Sequence, residues 1–384
     1  MRALVYEGPN RLRVRDKPLP AIEHRDDVVL KVTRAAICGS DLHLLHGFVP
    51  DTRVGSTFGH EFTGTVEELG PGVRTLRRGD RVVVPFNISC GTCFYCRRGL
   101  FGDCESSNPM SRLASGVYGY SHTTGGYDGG QAEYVRVPFA DVGPMKIPDD
   151  LTEEDVLLLS DVLPTGYQAA EMGGVRRGDV VAVLGCGPVG LVAARAAWLL
   201  GAGRVLAVDE VEARLRFAER WAGAEPLDLR AVPDPVEALR ALAGGRGPDV
   251  CIDAVGLEAS GSPWQTLLGR ALKIAPGSSI ALSWAIHAVR KGGTVSIVGV
   301  YGPPANPVPI GVAMNKGLTL RMAQANVKRY MPHLLEHVRA GRLDGRGLIT
   351  HRFTLEHAPE AYRLFERRED GCIKCVLVPT GASA

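Results

Sequence analysis

Four cysteines, Cys90, Cys93, Cys96 and Cys104, fall in one short segment, SCGTCFYCRRGLFGDC, at spacings of two, two and seven residues. The 384-residue chain holds only nine in all, so the crowding asks for a chemical reason. Short C-x-x-C steps let a turn present two thiolates at neighbouring corners of a tetrahedron, the arrangement that zinc takes in structural sites. Arg97 and Arg98 would offset part of the charge of such a site. In a chain without a secretory signal this spacing points to a metal rather than to disulfides. Unligated thiols and an iron–sulfur cluster are the alternatives. A closed four-thiolate site leaves no position for a substrate. Any reaction must therefore take place elsewhere.

A second motif supplies a place for a cofactor. GCGPVG, from Gly185 through Gly187, Pro188 and Val189 to Gly190, fits G-x-G-x-x-G. The pattern is weak alone, but here it follows the apolar run VVAVL and opens LVAARAAWLL, the strand and helix it requires. In that setting the glycines allow a tight turn, approach of a pyrophosphate and close helix–strand packing, and the helix N-terminus attracts the phosphates. Asp209 ends RVLAVD, nineteen residues after Gly190. A carboxylate there accepts hydrogen bonds from both ribose hydroxyls and repels a 2′-phosphate, which favours NAD over NADP. Arg214 is a further candidate cofactor-binding residue. The bland alternative is a tight turn that binds nothing, followed by an ordinary surface aspartate.

These motifs sit in two textures. Residues 1–150 alternate short β-type runs (DDVVLKVTRAAI, EFTGTVEELGPGV, GDRVVVPF, QAEYVRVPF) with glycine and proline turns, as a small β-rich domain does. From about Leu151, strand-like runs alternate with helical ones, the pattern of a doubly wound parallel sheet. The tail returns two helices and a final strand, CIKCVLVP. At 45% hydrophobic, 22% charged and a net charge of +2, the composition suits a globular protein with sizeable cores and shows no basic face for nucleic acid. The charged N-terminal segment lacks the apolar core of a signal peptide, and the longest apolar run is too short for a membrane span. The expectation is a cytoplasmic protein that uses neither nucleic acid nor membrane. Arginine heavily outnumbers lysine, from a GC-rich genome or from heat adaptation.

ICGSDLH, with Cys38, Ser40, Asp41 and His43, and FGHEF, with His60 and Glu61, complete a recurring order: cysteine, Gly-His-Glu, four-cysteine loop, glycine fingerprint. In that order the chain resembles the medium-chain zinc-dependent alcohol dehydrogenases over essentially its whole length. SDVLPTGY and GGQAEYVRVPFAD look closest to the glutathione-independent formaldehyde dehydrogenases and dismutases. The resemblance implies an α/β protein with a GroES-like β-rich catalytic domain (1–162 and 324–384) wrapped around a Rossmann doubly wound parallel-sheet domain (163–323). It implies two zinc ions per chain, the second in the cleft between the domains. Cys38 and His60 match two ligands of that zinc, and Asp161 falls where many members have a cysteine. A buried carboxylate there makes independent sense as a ligand; a helix cap or surface aspartate is the alternative.

The resemblance also implies roles around the metal. Asp41 would accept from His60 and fix its ring. Glu61 is either a transient ligand or an ion-pair partner. Ser40 and His43 match a relay that carries the proton to a surface histidine, although His43 could be a surface residue with no such role. Thr165 matches a residue packed on the nicotinamide, and Lys374 one that binds pyrophosphate. Gly39 stands where many members carry a basic phosphate contact. A three-ligand zinc keeps one position open, where an alcohol or hydrated aldehyde loses its proton more readily before hydride passes to NAD. The expected substrate is a small aldehyde or alcohol, formaldehyde first; a polyol, a threonine-type substrate or a broader alcohol range is the alternative, and a binding protein that has lost catalysis is a third. A homo-oligomer, dimer or tetramer, is expected. Cys186, Cys251, Cys372 and Cys375 read as packing residues. Finally, 36 residues, 257 to 292, separate two strand-like runs, where a crossover needs only about 10–12. They are either a surface excursion or oligomer contact, or a cover that retains the cofactor and permits dismutation.

Overall fold

The computed structural model describes residues 1–255, 279–301 and 308–379. They divide into two units, Met1–Pro164 with Asn326–Ala384, and Thr165–Ala325. The breaks fall slightly later than the expected 162/163 and 323/324.

The first unit is built on a seven-stranded sheet. Its centre is Val28–Ala36, which pairs antiparallel with Glu61–Leu69 on one side and with Tyr134–Val137 and Lys374–Val378 on the other. Alternate residues from four strands, Val28, Leu30 and Val32, Phe62 and Val66, Val82 and Val84, Val135 and Val137, fill one buried cluster. This is the period-two pattern of a sheet with one face in a core.

Register decides what gathers at one end of this sheet. Ala36 faces Glu61 on one side and Val376 on the other. Continuing the second register by two places puts Lys374 beside Cys38. Phe62 faces Val84, and two residues on, the Phe86 amide donates to the Ser160 carbonyl at 2.9 Å. Cys38, His60 with Glu61, Asp161 and Lys374 are thus delivered to one sheet end by four separate segments.

The second unit holds a six-stranded parallel sheet in the order Glu225–Asp228, Arg204–Asp209, Val180–Leu184, Val250–Asp253, Thr294–Ile297, Thr319–Met322. The chain order reverses direction between Val180–Leu184 and Val250–Asp253, the arrangement of a doubly wound dinucleotide fold. Glu225–Asp228 escapes a pattern reading because Pro226 interrupts it. Proline is tolerated there because the strand lies at the sheet edge. The run VEARLRFAERW is helical in two parts, α over Glu212–Phe217 and then a π-turn over Ala218–Ala222. Of the long 257–292 segment, residues 279–292 are seen, including a helix at Ile280–Ala288. The remainder, and with it the proposed cofactor cover, lies outside the described residues. No helix among the described residues is long and apolar enough to cross a membrane.

The helix Pro188–Leu199 packs tightly on its sheet at one point. A Cβ on Gly190 would lie 1.8 Å from the Gly185 carbonyl oxygen. Gly190→Ala is therefore expected to cost at least about 1–3 kcal/mol through overpacking, read as a lower thermal midpoint. An unchanged midpoint would show that the turn relaxes freely.

Candidate functional site

Cys38 caps the short helix Gly39–Leu45, and the Asp41 carboxylate turns back to accept from the Cys38 amide at 3.0 Å. That capping arrangement places the thiol at the sheet end and Asp41 beneath it. His60 Nδ1 lies 3.4 Å from Asp41 Oδ1, and His60 Nε2 lies 3.3 Å from Asp161 Oδ2. The ring edge rests on Phe86, with centroids 5.7 Å apart. Cys38 Sγ is 3.6 Å from Asp161 Oδ2. Cys38, His60, Glu61 and Asp161 each offer a ligand atom, and all four atoms lie within 4.8 Å of one another.

The charges in this cluster do not balance. Asp41, Glu61 and Asp161 are buried carboxylates beside a thiol. Against them stand Lys374, whose Nζ donates to Glu61 Oε1 at 2.5 Å, and the imidazole. Burial disfavours a charged His60, yet Asp41, Cys38 and Asp161 hold it well above the usual histidine range. Burial also opposes the Lys374 ammonium, and Glu61 more than compensates, raising it above an ordinary lysine. Burial pushes the Cys38 thiol up, with Lys374 pulling the other way. Glu61 Oε2 is buried without a hydrogen-bond partner. A soft donor, an imidazole, a carboxylate and surplus negative charge together fit a divalent cation such as zinc.

A buried scaffold that sequence reading missed supports this cluster. Gln131 Nε2 donates to the Ala36 carbonyl at 3.1 Å and to Asp41 Oδ2 at 3.3 Å, while its Oε1 accepts from Tyr362 at 2.8 Å. Nothing local marks these partners, which lie 90 and 231 residues from Gln131.

Two placements differ from expectation. His43 is 4% exposed, not at the surface. Its helix is buried from Asp41 to Leu45, so no solvent face exists for it. Lys374, expected at a pyrophosphate, is fully buried with its ammonium on Glu61. Ser40 is half-buried, as is Thr165 on the helix Val162–Gly173.

In the four-cysteine lobe, Cys90, Cys93, Cys96 and Cys104 also bring their sulfurs within 4.8 Å of one another. The Cys93 and Cys104 sulfurs are 3.9 Å apart, and no cysteine is in a disulfide. Backbone amides point at the sulfurs: Cys93 to Cys90, Cys96 to Cys93 and Cys90 to Cys104. Burial would raise the Cys90 thiol, but hydrogen bonds from Ser106, Thr92 and Cys93 bring it down to about 6. Sulfurs that accept from backbone amides, with one thiol already lowered, suit thiolate ligands to zinc. Arg97 and Arg98 are exposed, and Arg98 stacks on the Phe94 ring.

At the glycine turn, Gly185 has φ +93°. Gly187 has φ −70°, and a Cβ there would meet no atom within 4 Å. Protein packing therefore does not demand glycine at 187, and the space suits a ligand that approaches the backbone, as a dinucleotide does. Pro188 occupies the first helical position and Val189 the next. Asp209 departs from the simple reading. Its Oδ2 accepts from the Cys186 amide at 2.7 Å, and its Oδ1 accepts from Glu210 and Val211 at 2.8 Å each. An ionised carboxylate offers roughly four acceptor sites, so most of its capacity already secures the turn. Arg214 is half-buried, and its charge is felt at the Cys186 thiol.

Residues 24–149 match the alcohol dehydrogenase GroES-like domain, and residues 188–269 match the zinc-binding dehydrogenase domain. The chain belongs to the medium-chain zinc-dependent alcohol dehydrogenases. Within this alcohol dehydrogenase family it is 45% identical to an uncharacterized zinc-type alcohol dehydrogenase-like protein, AdhB, of Bacillus subtilis, over 99% of this chain and all of that one. It is 34% identical to a glutathione-independent formaldehyde dehydrogenase of Pseudomonas aeruginosa, over 95% of this chain and 94% of the other. The solved alcohol dehydrogenase TADH of Thermus sp. ATN1 superposes with a TM-score of 0.86 at 40% identity, over 99% of this chain and all of that one.

The two cysteine-bearing clusters have separable consequences. Cys93→Ser is expected to cost the lobe its metal and to lower the thermal midpoint, with zinc per chain falling by one. A variant with full zinc content and an unshifted midpoint would contradict a structural metal there.

Proposed function

We propose that the chain is an NAD-dependent zinc dehydrogenase that interconverts small alcohols and aldehydes, with formaldehyde, as its hydrate, the leading substrate. The observation that carries this is the convergence of Cys38, His60 and Asp161 on one buried point, with Glu61 beside them. The formaldehyde dehydrogenase of Pseudomonas aeruginosa among the relatives supports the substrate class. Zinc bound there would supply Lewis-acid polarisation of a substrate oxygen, and NAD would accept the hydride.

The chain's own residues do the rest. Asp41 faces the His60 ring on its Nδ1 side at 3.4 Å, so that Nε2 is turned toward Asp161. Burial pushes the Glu61 carboxyl up and Lys374 opposes this while anchoring one oxygen, so that Oε2, left without a hydrogen-bond partner, is an additional donor to the cluster. Ser40 and His43 stand three residues apart on one helix, as neighbours on its surface. In this reading they take the proton that leaves the substrate. Because His43 is buried, a further group must hand that proton to solvent. In this reading Asp209, which braces the glycine turn, also repels a 2′-phosphate.

The test is a panel of alcohols and aldehydes with NAD or NADP, followed by nicotinamide absorbance, together with formaldehyde supplied alone and methanol followed by NMR. Turnover of small aldehydes with NAD supports the reading, and no turnover of any member by zinc-replete protein would overturn it. Methanol without added cofactor would identify dismutation.

Asp161→Ala is expected to lower kcat at least about a hundredfold, more than the loss of a residue that merely supports a ligand, with the thermal midpoint little changed. Retained activity with full zinc content would remove Asp161 from the ligand set.

Asp209→Asn removes the charge and keeps one of the two oxygens that accept from the turn amides, at the cost of a hydrogen bond to the other. It is expected to shift the NAD-to-NADP ratio of kcat/KM toward NADP on the order of tenfold, about 1.4 kcal/mol. An unchanged ratio would assign the preference to other residues.

A further inference from the structure

Cys372 and Cys375 are spaced C-x-x-C at the start of the last strand, and their sulfurs lie 3.4 Å apart. On the neighbouring parallel strand, Ile349–Thr354, the register partner of Cys375 is His351. Paired residues leave a sheet on the same face, and the pairing is irregular between Ile349 and His351. One ligand atom from each of the three residues lies within 4.8 Å of the others. Zinc–sulfur bonds of about 2.3 Å and zinc–nitrogen bonds of about 2.0 Å place tetrahedral donors roughly 3.5–3.8 Å apart. The two sulfurs, at 3.4 Å, need only separate slightly to meet that geometry.

Its surroundings suit an ion. Both sulfurs are buried in an apolar cluster that includes Tyr362, Phe365 and Leu377. Two thiolates and a neutral imidazole around a divalent cation carry no net charge, which an apolar core tolerates. His351 Nε2 lies 3.3 Å from Asp370 Oδ2, but that side chain is 83% exposed and the His351 side chain 17% exposed, so the carboxylate can turn into solvent and leave Nε2 to the cation, with a water as fourth ligand. His351 Nδ1 lies 2.9 Å from Thr350 Oγ1, and that hydroxyl accepts from the Ile373 amide at 3.0 Å. The ring is thereby fixed against the chain that carries the cysteines, as ligating histidines usually are.

We propose that His351, Cys372 and Cys375 form a further metal site for a thiophilic divalent cation, zinc in the first instance, separate from the four-cysteine lobe and from the Cys38 cluster. Binding releases the two thiol protons and adds no redox step. Without a cation, the hydrogen bond to Cys372 and then burial push the Cys375 thiol up. Lys374 lies between the two cysteines and reaches Glu61 on the other side of the strand. A cation at this site would fasten the strand that positions Lys374.

The experiment equilibrates reduced protein anaerobically with a small excess of Zn2+, desalts it and counts zinc by mass spectrometry. Wild type is compared with His351→Ala and with the double variant Cys372→Ala/Cys375→Val. The proposal requires wild type to hold one zinc per chain more than each variant. Equal zinc in wild type and His351→Ala overturns it. So does a Cys372–Cys375 disulfide, seen as the loss of two hydrogens in the intact mass, with no zinc beyond that of the variants. Should the double variant fail to fold, the comparison with His351→Ala, at a partly exposed position, still decides.

Discussion

The Lys374 ammonium and the Glu61 carboxylate meet at 2.5 Å with both side chains buried, 313 residues apart in the chain. The pair joins the C-terminal strand to the N-terminal part of the same sheet across everything inserted between them. A buried pair of this kind is weak evidence of net stability, because desolvation offsets much of its attraction. Removing one partner is another matter: it strands a charge in the core at a cost of about 3–5 kcal/mol. The sheet end is therefore committed to both residues, and the arrangement of Cys38, His60 and Asp161 is built on that commitment.

Around this pair the chain accumulates acidity instead of neutralising it. Asp41, Glu61 and Asp161 converge with Cys38 on a single imidazole and a single ammonium. In a low-dielectric interior such a surplus is relieved by a proton or by a cation. The elevated His60 is the proton's answer; a metal is the other. Gln131 and Tyr362 add no charge, but they fix Asp41, and through it the imidazole, so that the surplus is presented in one geometry.

Local features were legible in the sequence, and long-range ones were not. The cysteine spacing, the glycine turn and the strand–helix alternation are short-range patterns, and they point to the right elements. Asp161 could be singled out only by resemblance, because its partners come from residues 38 and 60. His43 was expected at the surface because the resemblance matched it to a surface histidine, whereas its short helix is buried from Asp41 to Leu45. Asp209 sits where a ribose carboxylate is sought, yet it also serves as a cap for three backbone amides, a role fixed by turn geometry. Cys372 and Cys375 read as packing residues because His351, which gives their spacing a possible meaning, lies on another strand.

The order of the strands has a consequence for the growing chain. The strand Lys374–Val378 lies inside the first sheet, flanked by Ile349–Thr354 and by Val28–Ala36. Residues 165–325 form the second unit without help from either end. During synthesis, domains usually fold in the order in which they emerge. Here the unit that emerges second has all its strands first, while the earlier sheet waits for a strand made only after that whole unit. Until then Glu61 has no ammonium and Cys38 has no completed sheet end beside it. A nascent chain would present an open edge along Ala35 and Ala36, the positions that Leu377 and Val376 later cover, which makes this the stretch where a ribosome-bound intermediate is open to mispairing.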